Sequence, residues 1–245
     1  MSGPECCSNP PTFNPSAGAG RVEKVGGVDT YVSGSADFKL AILLISDVFG
    51  YEAPNLRKLA DKVAAAGYFV VVPDFIHGDP FDAKKADRPL SVWVKDHSPD
   101  KGVEVAKPVI EALKGKGISA IGAAGFCWGA KVVVEVAKHG LINAAVLLHP
   151  SLVTVDDIKS IEIPIAILGA GTDRISPPEL VKQFEQILSA KPGVHSFVKI
   201  FPQVVHGWAV RYNTEDAKAV SAAEEAHQDL LSWFAKHVKY PRSRY

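Results

Sequence analysis

Cys127 is the side chain of this sequence with the clearest capacity for covalent chemistry. It lies in the segment Gly-Phe-Cys-Trp-Gly at 125–129, between an apolar run at 120–124 and a helical pattern at 130–139. This order predicts a strand, a sharp turn and a helix, a corner that exposes a nucleophilic side chain. The positive end of the helix dipole would favour a thiolate there. A lone cysteine between glycines is also a common small core residue, so the segment alone leaves both interpretations open.

Asp173 and His206 could complete a nucleophilic site with this thiol. They follow apolar, strand-like segments at 163–169 and 197–201. A thiol nucleophile requires a base that takes its proton and a carboxylate that orients the base. The chain order of the three residues is the order nucleophile, acid, histidine of α/β-hydrolases. Taken singly, the aspartate is typical of a turn or helix cap and the histidine of a surface loop. Their joint placement predicts a Cys127–His206–Asp173 triad.

Two backbone N–H groups are candidates for holding the oxyanion that attack on a carbonyl carbon produces. The Trp128 N–H lies directly after the thiol, and the Val48 N–H follows the apolar run at 40–46. The neighbouring Asp47 could cap the segment that follows it, or it could face the thiol. In the second case its charge would oppose thiolate formation in the resting protein.

Alternating strand and helix patterns must position these side chains. Strand patterns, mostly continuous and apolar, occur at 28–32 (an edge strand), 40–46, 68–73, 120–124, 143–148, 163–169 and 197–201. Helical patterns occur at 54–67, 100–116, 130–139, 177–190 and 214–237. This rhythm predicts the α/β class, with a mostly parallel central sheet and helices on both faces. Ligands of such sheets bind at the carboxyl ends of the strands. The residues that fall there are Asp47, Cys127, His149, Asp173 and His206.

The long polar and proline-rich passage at 74–99 is typical of a lid or a binding loop. The candidates for substrate contacts are Asp47, Tyr51, Phe75, Trp93, His149, Trp208 and Arg211. The aromatic side chains among them are explained at least as readily by ordinary packing, and His149 could either line the site or bond within the core.

The composition limits the class of partner and the compartment. The chain has 245 residues, of which 47% are hydrophobic, with 27 basic and 27 acidic side chains. We expect an irregular arm at 1–20, a single domain at 21–245, and no nucleic-acid or membrane partner. The three cysteines do not form a disulfide framework, and no signal peptide or membrane-spanning run is evident. The expected protein is a cytoplasmic monomer or weak homodimer, with no metal at Cys6 and Cys7.

Four motifs resemble the dienelactone hydrolase, or carboxymethylenebutenolidase, family of α/β-hydrolases. They are Asp-Val-Phe-Gly at 47–50, Gly-Phe-Cys-Trp-Gly at 125–129, Gly-Thr-Asp at 171–173 and His-Gly-Trp-Ala-Val-Arg at 206–211. The similarity spans residues 20 to 238. It implies an α/β-hydrolase fold, a Cys127–His206–Asp173 triad, a small enol-lactone or activated ester as substrate, and no metal or organic cofactor.

The chain departs from bacterial members of that family around the presumed substrate site. They have Glu at the position of Asp47, where the carboxylate is thought to restrain the resting thiol, and a shorter side chain puts that role in doubt. Arg211 lies one residue further from the histidine than the family's arginine, and Arg88 has no certain counterpart. Recognition of a substrate carboxylate is therefore in doubt. Asp47 and the segment His-Pro-Ser at 149–151 resemble instead the eukaryotic branch, which includes plants.

Two alternatives remain open. Some plant sequences of that branch carry a mixed-linkage (1,3;1,4) β-glucanase name, but glycoside hydrolysis normally requires two carboxyl groups that flank the scissile bond. Asp173 is already assigned to His206, and a thiol that attacks an acetal carbon gains nothing from an oxyanion hole. The second alternative is a non-catalytic binding protein on the same scaffold, against which the complete triad argues.

Overall fold

The apolar, β-branched runs of the sequence form one eight-stranded sheet in the computed structural model, which describes residues 7–240. The strands are β1 (Arg21–Val25), β2 (Val28–Ser33), β3 (Leu40–Ile45), β4 (Phe69–Pro73), β5 (Ala120–Phe126), β6 (Ala144–Leu148), β7 (Ile165–Thr172) and β8 (Ser196–Val205). Their order across the sheet is β1-β2-β4-β3-β5-β6-β7-β8. Strand β2 pairs antiparallel with β1 and β4, and all other neighbouring strands are parallel.

Seven helices cover this sheet within the described residues. They are α1 (Pro54–Ala65), α2 (Leu90–Asp96), α3 (Gly102–Gly115), α4 (Trp128–Lys138), α5 (Val155–Lys159), α6 (Pro178–Ser189) and α7 (Ala217–His237). Successive side chains of a strand point to opposite faces. Leu43 of β3 therefore packs in a core with α3, α4 and α6, whereas Leu44 packs in a second core with α1 and α7. Both faces are buried, which explains the continuous apolar runs and confirms the predicted α/β class.

Five elements, β1, β2, α2, α5 and β8, differ from the sequence-based expectation. The predicted edge strand at 28–32 is an inner strand, because β1 pairs outside it. Helix α2 lies inside the passage at 74–99 that was expected to be a loop, and α5 had no counterpart among the predicted helices. Strand β8 continues beyond the predicted end at residue 201 to Val205, which brings it directly to His206.

The arm at the start of the described chain contains no strand or α-helix between residues 8 and 20. It is nevertheless held by hydrogen bonds to side chains of the domain. The Pro15 carbonyl accepts from Arg57 Nη1 at 3.1 Å, and the Ala19 N–H donates to Asp61 Oδ2 at 2.7 Å. Among residues 7–240, no helix is long and apolar enough to cross a membrane.

Asp157 joins the helix that follows Cys127 to α5. It completes a capping box with Thr154, and Lys131 Nζ of α4 lies 2.8 Å from both of its carboxylate oxygens. Burial opposes the charge of this carboxylate, but the hydrogen bonds from Lys131 and Lys138 outweigh it and lower the pKa of Asp157 to about 2. The cluster therefore fixes the position of α4 by charge as well as by packing.

Asp157→Asn is expected to lower the free energy of unfolding at pH 7 by about 2 kcal/mol. The folded-state pKa is depressed, so this stabilisation is present above the unfolded pKa of 3.8 and is lost as the pH falls through about 2. Urea unfolding of wild type and variant should therefore differ at pH 7 and converge towards pH 2. The control Asp156→Asn removes a carboxylate that is 86% exposed and should change stability by less than about 0.5 kcal/mol. A constant difference between wild type and Asp157→Asn from pH 7 to 2 would contradict this account.

Candidate active site

Cys127 occupies a strained corner between β5 and α4. Its backbone has φ 53° and ψ −114°, and its side chain is fully buried. A Cβ at Gly125 would lie 2.2 Å from the Gly129 carbonyl oxygen, and a Cβ at Gly129 would lie 2.3 Å from the Ile45 carbonyl oxygen. Only glycine fits at both flanking positions, because any side chain would collide with backbone atoms there.

Hydrogen bonds to the end of β6 hold this corner in place. The Cys127 N–H donates to the Leu148 carbonyl at 3.1 Å, and the Cys127 carbonyl accepts from the Ser151 N–H at 3.0 Å. Positive φ is costly for a non-glycine residue and persists only where its surroundings fix it. The neighbouring strand therefore determines where the thiol lies.

His206 and Asp173 form a buried hydrogen-bonded pair at the ends of β8 and β7. His206 Nδ1 lies 2.7 Å from Asp173 Oδ2, and both side chains are at most 1% exposed. Asp173 Oδ1 accepts from the Ile175 and Ser176 N–H groups at 2.8 and 3.1 Å. The aspartate is thus both a turn-stabilising residue and the partner of the histidine, two roles that the sequence suggested as alternatives.

Cys127 and Asp173 both favour the positive charge of the His206 ring. Burial disfavours the charged ring, but the charge of Cys127, a hydrogen bond to Asp173 and a hydrogen bond to Cys127 outweigh burial and raise the pKa of His206 to about 9. A carboxylate at Nδ1 fixes the tautomer with the proton on that atom. In that tautomer Nε2 is the ring nitrogen that can accept a proton.

Asp47 and Arg211 form a second buried pair beside the first. Arg211 Nε lies 3.1 Å from Asp47 Oδ2, and Asp47 Oδ1 accepts from the Phe49 N–H at 2.9 Å. Burial raises the pKa of Asp47, while Arg211, the Phe49 N–H and His206 counteract that rise. The Phe49 hydrogen bond corresponds to one of the two roles that the sequence left open for Asp47, a cap of the segment that follows it. Arg211 Nη1 also donates to the Ser8 carbonyl of the arm at 2.8 Å.

Arg211→Met is expected to destabilise the protein by about 3 kcal/mol, because it leaves a buried carboxylate without its partner. The double variant Asp47→Asn, Arg211→Met should recover most of this loss, since it removes the unpaired charge as well. Thermal and urea unfolding would measure both effects. Arg88→Met is the matched control: Arg88 pairs with Asp79 and Asp96 at the surface, where such pairs contribute little to stability. A double variant as unstable as Arg211→Met would show that charge pairing is not the cause.

The two predicted oxyanion donors follow the neighbouring strands β3 and β5. Val48 follows β3, and its N–H donates none of the hydrogen bonds formed within residues 7–240. Trp128 is the first residue of α4, where an N–H has no partner within the helix.

His149 is a buried neighbour of His206 that the sequence could not assign. Its ring centroid lies 5.0 Å from that of His206 and 5.3 Å from that of Trp208. Neither ring nitrogen has a hydrogen-bond partner among the described residues. Burial, and then the nearby His206 and Arg211, hold the pKa of His149 well below its usual range. His149 is therefore an uncharged ring packed against His206, and it does not bond within the core through its side chain.

The other residues that were predicted to contact the substrate differ in their burial and in their packing contacts. Trp93 is packed against Trp128 with ring centroids 6.0 Å apart and donates from Nε1 to the Asp79 carbonyl, so it holds the segment at 74–101 against α4. Phe75 is also buried, whereas Tyr51 is partly exposed and packs against the guanidinium of Arg57. Trp208 is buried and lies against His149.

Two contacts of this region escaped the sequence analysis. The Asp47–Arg211 pair joins residues at distant points of the chain, and the Ser8 contact uses a backbone carbonyl that any residue supplies. The sequence did contain one indication of the Asp47–Arg211 pair, because a carboxylate directly after a buried strand requires a partner.

Comparisons with known proteins agree with this arrangement of strands. The model of the dienelactone hydrolase family matches residues 28–238. An endo-1,3;1,4-beta-D-glucanase of Zea mays is 48% identical over 190 residues, which cover 75% of this chain but 61% of that longer protein. A carboxymethylenebutenolidase homolog of Mus musculus is 30% identical over 226 residues, which cover 90% of this chain and 92% of that protein.

Solved structures support the fold. A candidate dienelactone hydrolase from Klebsiella pneumoniae has a TM-score of 0.70 at 21% identity, covering 85% of this chain and 93% of its own. A dienelactone hydrolase-like promiscuous phosphotriesterase from metagenomic libraries has a TM-score of 0.64 at 19% identity, covering 88% and 98%. The predicted α/β-hydrolase fold is confirmed.

Proposed function

Because the chain belongs to the dienelactone hydrolase family, we propose that it is a cysteine-dependent hydrolase of small esters or enol-lactones. The observation that supports this most is the buried 2.7 Å contact between His206 Nδ1 and Asp173 Oδ2, on a ring whose positive charge Cys127 also favours. A base oriented by a carboxylate and interacting with a thiol is the arrangement that nucleophilic acyl transfer requires.

The reaction follows from the role of each atom. Cys127 gives its thiol proton to His206 Nε2 and its Sγ attacks the carbonyl carbon, and the resulting oxyanion accepts hydrogen bonds from the Val48 and Trp128 N–H groups. The bond to the leaving oxygen breaks as His206 donates its Nε2 proton to that oxygen, which leaves a thioester. His206 then takes a proton from water, the hydroxide attacks the thioester, and the thiolate leaves with the acid as product.

The maize relative gives a specific reason to consider glucan hydrolysis as the second candidate. That reaction requires two carboxyl groups placed around the scissile bond. The carboxylates at the strand ends are already engaged: Asp173 with His206, Asp47 with Arg211, and Asp74 with the Ile76 N–H. Ester hydrolysis uses these residues as they are bonded, whereas glycoside hydrolysis would have to separate a buried pair.

The Cys127 thiol is also relevant to the cellular compartment in which the protein acts. Cys127 forms no disulfide within residues 7–240, and a nucleophilic thiol persists most readily where glutathione keeps it reduced. We propose the cytosol as the site of action on this ground.

The test of the proposed function uses the wild-type protein with p-nitrophenyl acetate, an enol-lactone and mixed-linkage β-glucan assayed in parallel. We expect the protein to hydrolyse both esters and to leave the glucan intact. After rapid quenching, mass spectrometry should show that the protein has gained the mass of one acyl group, on the peptide that contains Cys127. Glucan cleavage without ester turnover would overturn the proposal in favour of the second candidate. Absence of both reactions, with no labelling of Cys127 by an electrophilic probe, would instead favour a binding protein on this scaffold.

A further inference from the structure

A groove of about 950 Å³ opens beside the candidate active site. It is lined by residues 9–12 and 14 of the arm, by residues at 203–214 from the end of β8 onward, by Pro54, Asn55 and Lys58 at the start of α1, and by residues at the start of α7. Its volume lies in the range of small-molecule sites, about 300–1,000 Å³.

Two of its lining residues contact side chains around the proposed catalytic residues, although Cys127, Asp173 and His206 do not themselves line the groove. Trp208 lines it and packs against His149, which in turn packs against His206. Arg211 lines it as well and pairs with Asp47. A ligand in the groove would therefore lie next to the histidine segment of the active site.

The arm wall is fixed at both ends. Ser8 is bound through its carbonyl to Arg211, and Pro15 is bound through its carbonyl to Arg57. The residues between Ser8 and Pro15 are therefore held at both ends of the arm segment that lines the groove.

The lining is rich in uncharged hydrogen-bonding side chains. Amide and hydroxyl groups are supplied by Asn9, Thr12, Asn55, Gln203, Asn213 and Thr214. Each amide both donates and accepts, and each hydroxyl does the same. This mixture matches the hydroxyl groups of a sugar or another polyol, which also donate and accept.

Trp208 provides an independent indication of a ligand. Its side chain is 5% exposed, and its Nε1–H is buried without a partner among the described residues. An indole N–H can only donate, so it lacks an acceptor oxygen that a bound ligand would supply. The charged lining residues Lys58, Asp216 and Lys218 are exposed to solvent, and the charge of Arg211 is matched by Asp47. The groove therefore carries little unmatched buried charge for an ionic ligand.

We propose that this groove binds the uncharged, polyhydroxylated alcohol portion of the ester substrate, which makes an acylated sugar or similar polyol ester the preferred substrate class. The inference rests on the proposed ester hydrolysis. Cys127 takes the acyl group, the ester C–O bond breaks, and the departing sugar oxygen receives its proton from His206.

The experiment compares two esters with the same acyl group and the same ring size: methyl 6-O-acetyl-glucoside and cyclohexylmethyl acetate. We expect kcat/KM for the glucoside ester to exceed that for the cyclohexyl ester by about tenfold or more, since each hydrogen bond made contributes about 1 kcal/mol. The double variant Thr12→Ala, Gln203→Ala should reduce this ratio by about tenfold, chiefly through a higher KM for the glucoside ester. Ser16→Ala, which changes an exposed arm residue outside the groove, should retain the wild-type ratio.

Three outcomes would overturn the inference: equal kcat/KM for the two esters, an unchanged ratio in the double variant, or a preference for an ester that carries a carboxylate in place of the ring hydroxyls. Failure of the proposed function is distinguishable, because it would abolish turnover of both esters and of p-nitrophenyl acetate. A binding titration of the Cys127→Ala protein with methyl 6-O-acetyl-glucoside, followed by tryptophan fluorescence, tests the groove independently of turnover. Saturable binding weakened by the double variant is expected, and no binding at millimolar ligand would count against the groove.

Discussion

Replacement of Cys127 by alanine is expected to lower kcat for p-nitrophenyl acetate and for an enol-lactone by about 10⁴-fold or more. The variant retains the buried corner and the His206–Asp173 pair but has no atom that can form the acyl-enzyme. Alanine tolerates the positive φ of this position no worse than cysteine does, so the fold should survive. Initial rates, together with thermal unfolding to verify the fold, measure the effect.

Cys7→Ala is the matched control for that variant, because Cys7 is a second free cysteine that is only partly buried. It should keep the wild-type rate and retain Cys6 and Cys127, so that alkylation by iodoacetamide must be assigned to the peptide containing Cys127. Cys127→Ser tests the thiol more narrowly, since the hydroxyl keeps the shape but is a far weaker nucleophile at neutral pH. Retention of more than about a tenth of the wild-type rate in Cys127→Ala would show that the thiol is not the nucleophile.

The elements that position this site could be predicted because their burial leaves a direct trace in the sequence. Strand β3 is apolar at every position since the sheet is covered on both faces, and its end could be placed to within one residue. The short elements left no such trace. Strand β1 is the outer strand, and only Val22 and Val25 among its residues are apolar, while α2 and α5 are 7 and 5 residues long, too short for a helical period to emerge.

Within the site, chain order and the predicted strand ends indicated that Cys127, Asp173 and His206 lie close together, because the carboxyl ends of parallel strands meet at one edge of a sheet. The contacts around those three residues could not be predicted from the sequence in the same way. His149 follows β6 and His206 follows β8, with β7 between these strands, so the contact of the two rings depends on side-chain orientations that the sequence does not give. The arm contacts depend on the carbonyls of Ser8 and Pro15, and a carbonyl has no sequence signature.

Asp173→Asn is expected to lower kcat/KM for ester hydrolysis by about 10³-fold while leaving the fold intact. An asparagine Oδ1 can keep the hydrogen bonds from the Ile175 and Ser176 N–H groups. Its amide nitrogen would then face His206 Nδ1 as a donor, which favours the tautomer with the proton on Nε2, the wrong atom for accepting a proton from the thiol.

The pH dependence separates this role from a purely structural one. Asp173 is one of the groups that raise the pKa of His206 to about 9, so its loss should move that pKa downwards, and the imidazolium should be lost at a lower pH than in the wild type. Rates measured from pH 5 to 10 should therefore show the alkaline limb of kcat/KM for an alkyl ester displaced to lower pH. Asp156→Asn removes an exposed carboxylate of α5 and should change neither rate nor profile. A lower rate with an unmoved alkaline limb would mean that the carboxylate supports the turn but does not hold the charge of His206.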